Sequence, residues 1–203
     1  MVWKKDPDCK AIAIIPCTAQ KSEIGGPARE VWIGGHFQLT LAYVEHFMNK
    51  IYIMSYKYGI IPPDFWIEPY DIDMRIEKAS ERIKWWYMMR EHIEKLVEEE
   101  KPDLVALFTG SFERSRIIRE FVRNGCNNVI VPWAGLGTGE RQQAVYDGEP
   151  PFDYDKLHAG AYHLPDDYKI VDEGAEKRKA KQEAAAALAE SAQPLEWEPE
   201  EVE

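Results

Sequence analysis

Cysteine is scarce in this chain. Cys9, Cys17 and Cys126 are odd in number and show no C-x-x-C spacing, which argues against a disulfide framework and against a zinc site. At least one of them is expected to be a buried thiol engaged in packing. Long apolar runs are missing too, since none approaches the ~20 residues needed to cross a bilayer. The opening Met1-Val2-Trp3-Lys4-Lys5-Asp6 lacks the apolar stretch of a secretory signal. A cytoplasmic location with no membrane partner is the expectation. The histidines His36, His46, His92, His158 and His163 fall in neither triad nor metal-ligand spacing. No metal and no cofactor are therefore expected, and the histidines read as structural or surface residues. Positive charge is in deficit, with a formal net charge of −11, which disfavours long-range attraction to nucleic acid. The deficit is uneven. Asp172 to Glu203 holds ten acids and four bases, leaving residues 1–171 at −5, so a local basic patch on the body is allowed.

What is present is a core. Hydrophobic residues make up 45% of the 203 and aromatics 12%, a composition and length that fit one compact domain. Ala11 to Ile15 is apolar on both faces and stopped by Pro16, the pattern of a buried parallel strand. Residues 17–35 read mainly as a loop. Phe37 to Phe47 has helical spacing, and Ile51 to Ser55 is a second strand ended by Tyr58-Gly59. Residues 59–75 hold Pro62, Pro63 and Pro69 and cannot form a regular helix. A long helix follows, with Ile76, Ala79, Ile83, Trp86, Met89, Ile93, Leu96 and Val97 on its apolar stripe. Leu104 to Phe108 is a third buried strand, Phe112 to Arg123 a helix ended by Asn124-Gly125, and Asn128 to Val131 a fourth strand. Alternating strands and helices predict an α/β fold, a three-layer α/β/α sandwich with a mostly parallel sheet over residues 1–171. Residues 172–203, charged and alanine-rich, predict a disordered tail.

In such sheets ligands bind beyond the carboxyl ends of the strands, and here each strand ends in an unusual loop. Pro16-Cys17-Thr18-Ala19-Gln20-Lys21 puts a thiol, a hydroxyl and an ammonium on one loop. Lys21 can favour the Cys17 thiolate or hold an anion; the competing reading packs Cys17 inside and leaves Lys21 in solvent. Gly25 to Gly35 contains Arg29 and Glu30 among glycines, and Glu30 is a carboxylate able to activate water or steady an oxocarbenium ion. The alternative is a flexible loop with an exposed charge pair. Ser55-Tyr56-Lys57-Tyr58-Gly59, continuing to Tyr70-Asp71, offers Tyr58 and Tyr70 for stacking on a base, worth about 1–3 kcal/mol per contact in single-strand binders. Trp66 reads instead as core beside the long helix. Thr109-Gly110-Ser111 caps the third strand. Gly135, Gly137 and Gly139 can turn backbone N–H groups toward an anion, or simply make a tight strand-to-helix turn. The four loops beginning near Cys17, Glu30, Tyr58 and Gly135 are expected to meet around one cavity.

The order of these motifs is more specific than any one of them. Pro16-Cys17-Thr18-x-x-Lys21, Pro27-Ala28-Arg29-Glu30 with Trp32-x-Gly34, Ile53-Met54-Ser55-x-x-Tyr58-Gly59-Ile60-Ile61, Pro69-Tyr70-Asp71 and Pro132-x-Ala134-Gly135-Leu136-Gly137-x-Gly139 together resemble the domain of unknown function 6884, over roughly residues 10–150. Ser55 to Met74 also resembles peroxide-stress proteins of the YaaA type, which are associated with DNA binding. The Cys17 loop resembles the Pro-Cys-Ser loop of archaeosine synthases, which act on a 7-deazaguanine base in transfer RNA. In that family the motif continues with Pro-Tyr, whereas Ser22-Glu23 follows Lys21 here. Both relatives imply a fold similar to uracil-DNA glycosylase.

The resemblance implies a nucleobase-processing enzyme, with an N-glycosylase of a modified base as the leading expectation and nucleic acid, DNA ahead of RNA, as its partner. Such an enzyme takes the base out of the stack. Tyr58 and Tyr70 would stack on it, Glu30 or Asp71 would activate water, and Cys17 and Lys21 would line the pocket or a phosphate site. Thr18, Arg29, Ser55, Gly59, Gly110, Ser111, Gly135 and Gly137 complete the expected binding set. Base modification without excision, centred on Cys17 and Lys21, is the second expectation, and a non-catalytic nucleic-acid or nucleotide binder the third. The identity of the base and the oligomeric state are open at this level.

Overall fold

The computed structural model describes residues 5–109 and 111–164, without the side chains of 111–113. The chain divides into a compact unit, Met1–Tyr168, and a second unit, Lys169–Glu203. The expected tail over 172–203 and Gly110 lie outside the described residues, as does the side chain of Ser111. In chain order the elements are β1 (Ala11–Pro16), β2 (Gly26–Pro27), α1 (Ala28–Val31), α2 (Gly35–Phe47), β3 (Lys50–Ser55), β4 (Gly59–Ile61), β5 (Trp66–Ile67), α3 (Ala79–Glu100), β6 (Leu104–Leu107), α4 (Ser111–Arg123), β7 (Val129–Ile130), α5 (Thr138–Asp147) and α6 (Tyr154–His158).

The apolar run of β1 makes it the middle strand. The sheet order is β4-β3-β1-β6-β7, with β1 parallel to β3 and β6 and β6 parallel to β7. Only β4 runs antiparallel, along β3 at the edge. Side chains alternate across a strand, so β1 feeds two cores. Ala11, Ala13 and Ile15 join Leu41, Val44 and Phe47 of α2 on one face. Ile12 and Ile14 join Met89 and Ile93 of α3 and Ile117 and Phe121 of α4 on the other. The fold is therefore α/β, with a mixed, mostly parallel sheet.

Three sequence expectations need correction. Residues 17–35 are not simply a loop, because Gly26–Pro27 pairs with Trp66–Ile67 as a two-stranded sheet and α1 follows at once. Trp66 is not core. It is 63% exposed while its strand neighbour Ile67 is 1% exposed, since only one face of that small sheet meets the body. The apolar stripe of α3 is also shifted at its start. Ile76 precedes the helix and Ile83 faces solvent, 83% and 55% exposed, and the buried stripe is Trp85, Met89, Ile93 and Leu96. The indole N–H of Trp85 donates to the Ser55 carbonyl at 3.2 Å, a tertiary bond that selects Trp85 over Trp86.

Candidate functional site

All four parallel strands deliver their following loops to one edge of the sheet, the carboxyl edge. Cys17 leaves β1 there, its N–H donating to the Met54 carbonyl of β3 at 2.9 Å. Ser55 ends β3 beside it and is fully buried. Between them stands Tyr70, whose hydroxyl lies 2.7 Å from Ser55 Oγ and donates to Cys17 Sγ at 3.7 Å. With the phenol donating to sulfur, Ser55 donates to the phenol, and Ser55 Oγ in turn accepts from the N–H groups of Lys57 and Tyr58 at 3.2 and 3.0 Å. A directed hydrogen-bond chain thus runs from the 57–58 turn to the thiol. Burial first, then the nearby Cys17, pushes the Tyr70 phenol well above the usual tyrosine range, against the opposing bond from Ser55. At neutral pH it is a neutral donor.

Tyrosines and lysines wall this chain. Tyr58 packs edge-on against Tyr70 with ring centres 5.7 Å apart. Its hydroxyl bridges the carbonyl and N–H of Glu68 at 3.2 and 3.1 Å, which fixes the ring. Lys21 Nζ sits 4.7 Å over the Tyr70 ring, and Lys57 Nζ 5.0 Å over Tyr58 and 5.8 Å over Tyr70. Cation–π contacts of this kind hold ammonium groups against aromatic faces. Gly59 has φ +74°, and a Cβ there would meet the His92 imidazole at 2.8 Å. That imidazole lies within hydrogen-bond distance of the Ile60 N–H and carbonyl, so Gly59 and His92 together shape the turn that presents Tyr58.

The remaining expected residues divide. Thr18 packs on the start of α2, where a Cβ on Gly34 would come within 2.6 Å of its hydroxyl. In the first turn of the same helix, His36 touches Trp133, ring centres 6.0 Å apart, and Trp133 packs on Phe108 at 4.7 Å. The loop that carries Gly135 is anchored through Trp133 on α2 and on the end of β6. Gly137 offers no free N–H, since it donates to Glu140 Oε2 at 2.6 Å; at this glycine the loop caps α5, which fits the tight strand-to-helix turn. Arg29 does not pair with Glu30 but with Glu45 and Asp64, at 2.9 and 2.8 Å, and braces α1. Glu30 and Asp71 are both exposed, and no hydrogen bond or ion pair ties either to the Cys17–Tyr70–Ser55 chain. Asp71 leaves the backbone directly after Tyr70; Glu30 is carried by α1.

Two groups were not singled out by sequence. Thr109, two residues beyond β6, is 2% exposed and its hydroxyl has no partner among the described residues. An unsatisfied buried hydroxyl costs about 1–3 kcal/mol, so this strand end favours a polar partner. The signal available was its place in Thr109-Gly110-Ser111. Lys57 is the other, visible in sequence only as a lysine between two tyrosines. A cavity of about 380 Å³ lined by Asp6, Cys9, Asp103 and His158 lies at the opposite, amino edge and includes none of these residues.

The model of a family of unknown function, DUF6884, matches residues 12–147. The chain belongs to that family. The matched span of this DUF6884 chain runs from β1 to the end of α5 and contains every residue of the Cys17–Tyr70–Ser55 chain together with Lys21, Lys57 and Tyr58. No curated protein and no solved structure matches the chain. Among the described residues no helix is long and apolar enough to cross a membrane, and no group of histidine, cysteine and acidic residues is placed to hold a metal ion.

Proposed function

We propose that this chain is a nucleobase-processing enzyme, an N-glycosylase that excises a modified base from nucleic acid, on a fold of the uracil-DNA-glycosylase kind. The observation that carries the reading is the directed chain Ser55–Tyr70–Cys17 at the carboxyl edge, walled by Tyr58 and overlaid by Lys21 and Lys57. A flipped base needs an aromatic wall and fixed polar groups for its edge, and this is such a set. On base entry the neutral Tyr70 phenol turns its one O–H from Cys17 Sγ to the departing base while still accepting from Ser55. Water adds to the sugar C1′ as the glycosidic bond breaks, and a carboxylate takes its proton. Asp71, one residue from Tyr70, fills that role best, with Glu30 second. The resemblance of the Pro16-Cys17-Thr18-x-x-Lys21 loop to that of archaeosine synthases, read from the motif alone, is in keeping with base handling.

The test incubates the full chain with oligonucleotides carrying modified bases and reads free base by mass spectrometry, with alkali cleavage at the abasic site. Wild type releases base, and Asp71→Asn lowers the rate about 10²-fold or more, the usual scale of general-base loss. Release by wild type, Asp71→Asn and Glu30→Gln at equal rates removes both carboxylates from the mechanism. Cys17 at the end of the hydrogen-bond chain favours a second reading, covalent modification of the base without excision. It predicts an altered nucleoside, no abasic site, and loss on Cys17→Ser.

A further inference from the structure

An acidic chain with a net charge of −11 carries one face of the opposite sign. On α3, Arg82, Trp86 and Arg90 recur every four residues and so form one row. On α4, Arg116, Glu120 and Arg123 form the facing row, with Arg119 beside it. The two rows meet: the Arg116 guanidinium lies 5.7 Å over the Trp86 ring, and Glu120 receives Arg90 at 3.3 Å and Arg123 at 3.0 Å. Glu120 is 5% exposed and neutralises one charge of the two arginines it holds. Arg116 and Arg119 are exposed and meet no carboxylate among the described residues, and Arg82 donates to the Glu77 carbonyl, a neutral acceptor. Among the described side chains, five arginines stand against one buried glutamate, so this part of the seam carries a net positive charge.

A chain of contacts links the seam to the site. Trp85, whose indole bonds the Ser55 carbonyl, packs on Trp86 at 6.3 Å between ring centres, and Trp86 carries Arg116. Tyr56, in the turn after β3, stacks edge-on to Trp85 at 5.5 Å. Direction is also set. The α3 row turns acidic beyond Arg90, at Glu94 and Glu98, and that acidic end leads toward Lys101 and the amino edge. The cationic half is the half at the carboxyl edge. The eight residue steps of helix from Arg82 to Arg90 span about 12 Å, the axial rise of three to four nucleotides at about 3.4 Å each.

We propose that this α3–α4 seam binds the phosphodiester backbone of the nucleic acid whose base enters the Tyr58–Tyr70 site. The inference rests on the reading above and deepens it, because it says where the backbone of that nucleic acid runs. Guanidinium forks match phosphate oxygens in pairs, and the half-buried Trp86 between them presents a face on which a neighbouring base stacks. The acidic stretch past Arg90 repels the same backbone and sets where the track ends.

The test is fluorescence anisotropy of the full chain with a labelled 12-nucleotide DNA, single-stranded and duplex, across a salt series. Nucleoside binding is measured in parallel by calorimetry. Arg116→Gln with Arg119→Gln is the chosen pair, because neither residue supports the buried Glu120. The double variant should weaken DNA binding about tenfold or more and reduce the salt slope by about 0.7 to 0.9 per lost contact, with nucleoside binding unchanged. Equal affinity and slope in variant and wild type overturn the seam. So does DNA binding that ignores salt, or a poly-glutamate peptide that binds the seam more tightly than DNA. Nucleoside binding without any DNA binding sinks the seam and leaves the site. Arginine-dependent DNA binding without release or alteration of any base sinks the enzyme and leaves the seam.

Discussion

Cys17, Cys9 and Cys126 share a functional group and differ entirely in surroundings. Burial, with the nearby Asp103 and Asp6 adding to it, pushes the Cys9 thiol up to about 11, and burial pushes Cys126 up to about 12. Both are protonated at neutral pH and both are buried, so neither is a nucleophile there. Cys17 is only half-buried and accepts the Tyr70 hydrogen bond. Brief treatment of the native chain with iodoacetamide at pH 7.5 should label Cys17 alone, while the denatured chain takes three labels, as peptide mass spectrometry will show. Labelling of Cys126 in the native state would contradict its placement. The Cys17 loop, Tyr58 and Tyr70 were all legible as candidates in the sequence, because a thiol after a buried strand and tyrosines at a strand end are local patterns. Their partnership was not, since Cys17 and Tyr70 are 53 residues apart and only the fold sets their hydroxyl–sulfur contact. Glu30 shows the converse. Its motif stands out in sequence, yet α1 carries its carboxylate into solvent.

At the scale of elements, hydrophobic periodicity located the four parallel strands and the long helices, but not the antiparallel edge strand β4 or always the phase of the helices. Positions 76, 79, 83 and 86 of the α3 pattern obey helical spacing, and the buried face of the helix nevertheless starts at Trp85. The bond to the Ser55 carbonyl and the packing of Met89 and Ile93 under β6 decide the rotation. This gives a paired prediction. Ile93→Ala, at a fully buried position, should cost about 2–5 kcal/mol through lost burial and a residual cavity. Ile83→Ala, at an exposed one, should stay within about 0.5 kcal/mol. Urea midpoints for the two variants check it, and equal losses would mean that the helix is rotated from its described position. The short β2–β5 pairing was invisible for a different reason. Two-residue strands carry no period, and only the antiparallel contact of Gly26 with Ile67 and Pro27 with Trp66 defines them.

For the molecule as a whole, buried thiols and phenols of raised pKa link stability to alkali. A group whose folded pKa is raised stabilises fully below its unfolded value and loses that contribution as pH climbs toward the folded value. For Cys126 the window runs from 9.0 to about 12. Cys9 acts in the same sense from 9.0 to about 11, and Tyr43, Tyr52 and Tyr70 add to it from 10.0 upward. The thermal midpoint should therefore hold between pH 7 and about 9 and fall steadily above it. Cys126→Ala should start lower, by loss of packing, and fall less steeply between pH 9 and 11. A wild-type midpoint flat to pH 11 would show that these groups titrate as they do in the unfolded chain. By itself the sequence determined the four parallel strands and the longer helices between them, the two-faced burial of β1, and the family. These follow from local apolar patterning and from motifs read along the chain. Tertiary structure alone decided that Tyr70 completes a hydrogen-bond chain between β1 and β3, that Trp85 rather than Trp86 faces inward, and that arginines from two helices share one seam. Each of these depends on the relative placement of segments tens of residues apart, which side-chain contacts across the sheet fix and no local pattern encodes.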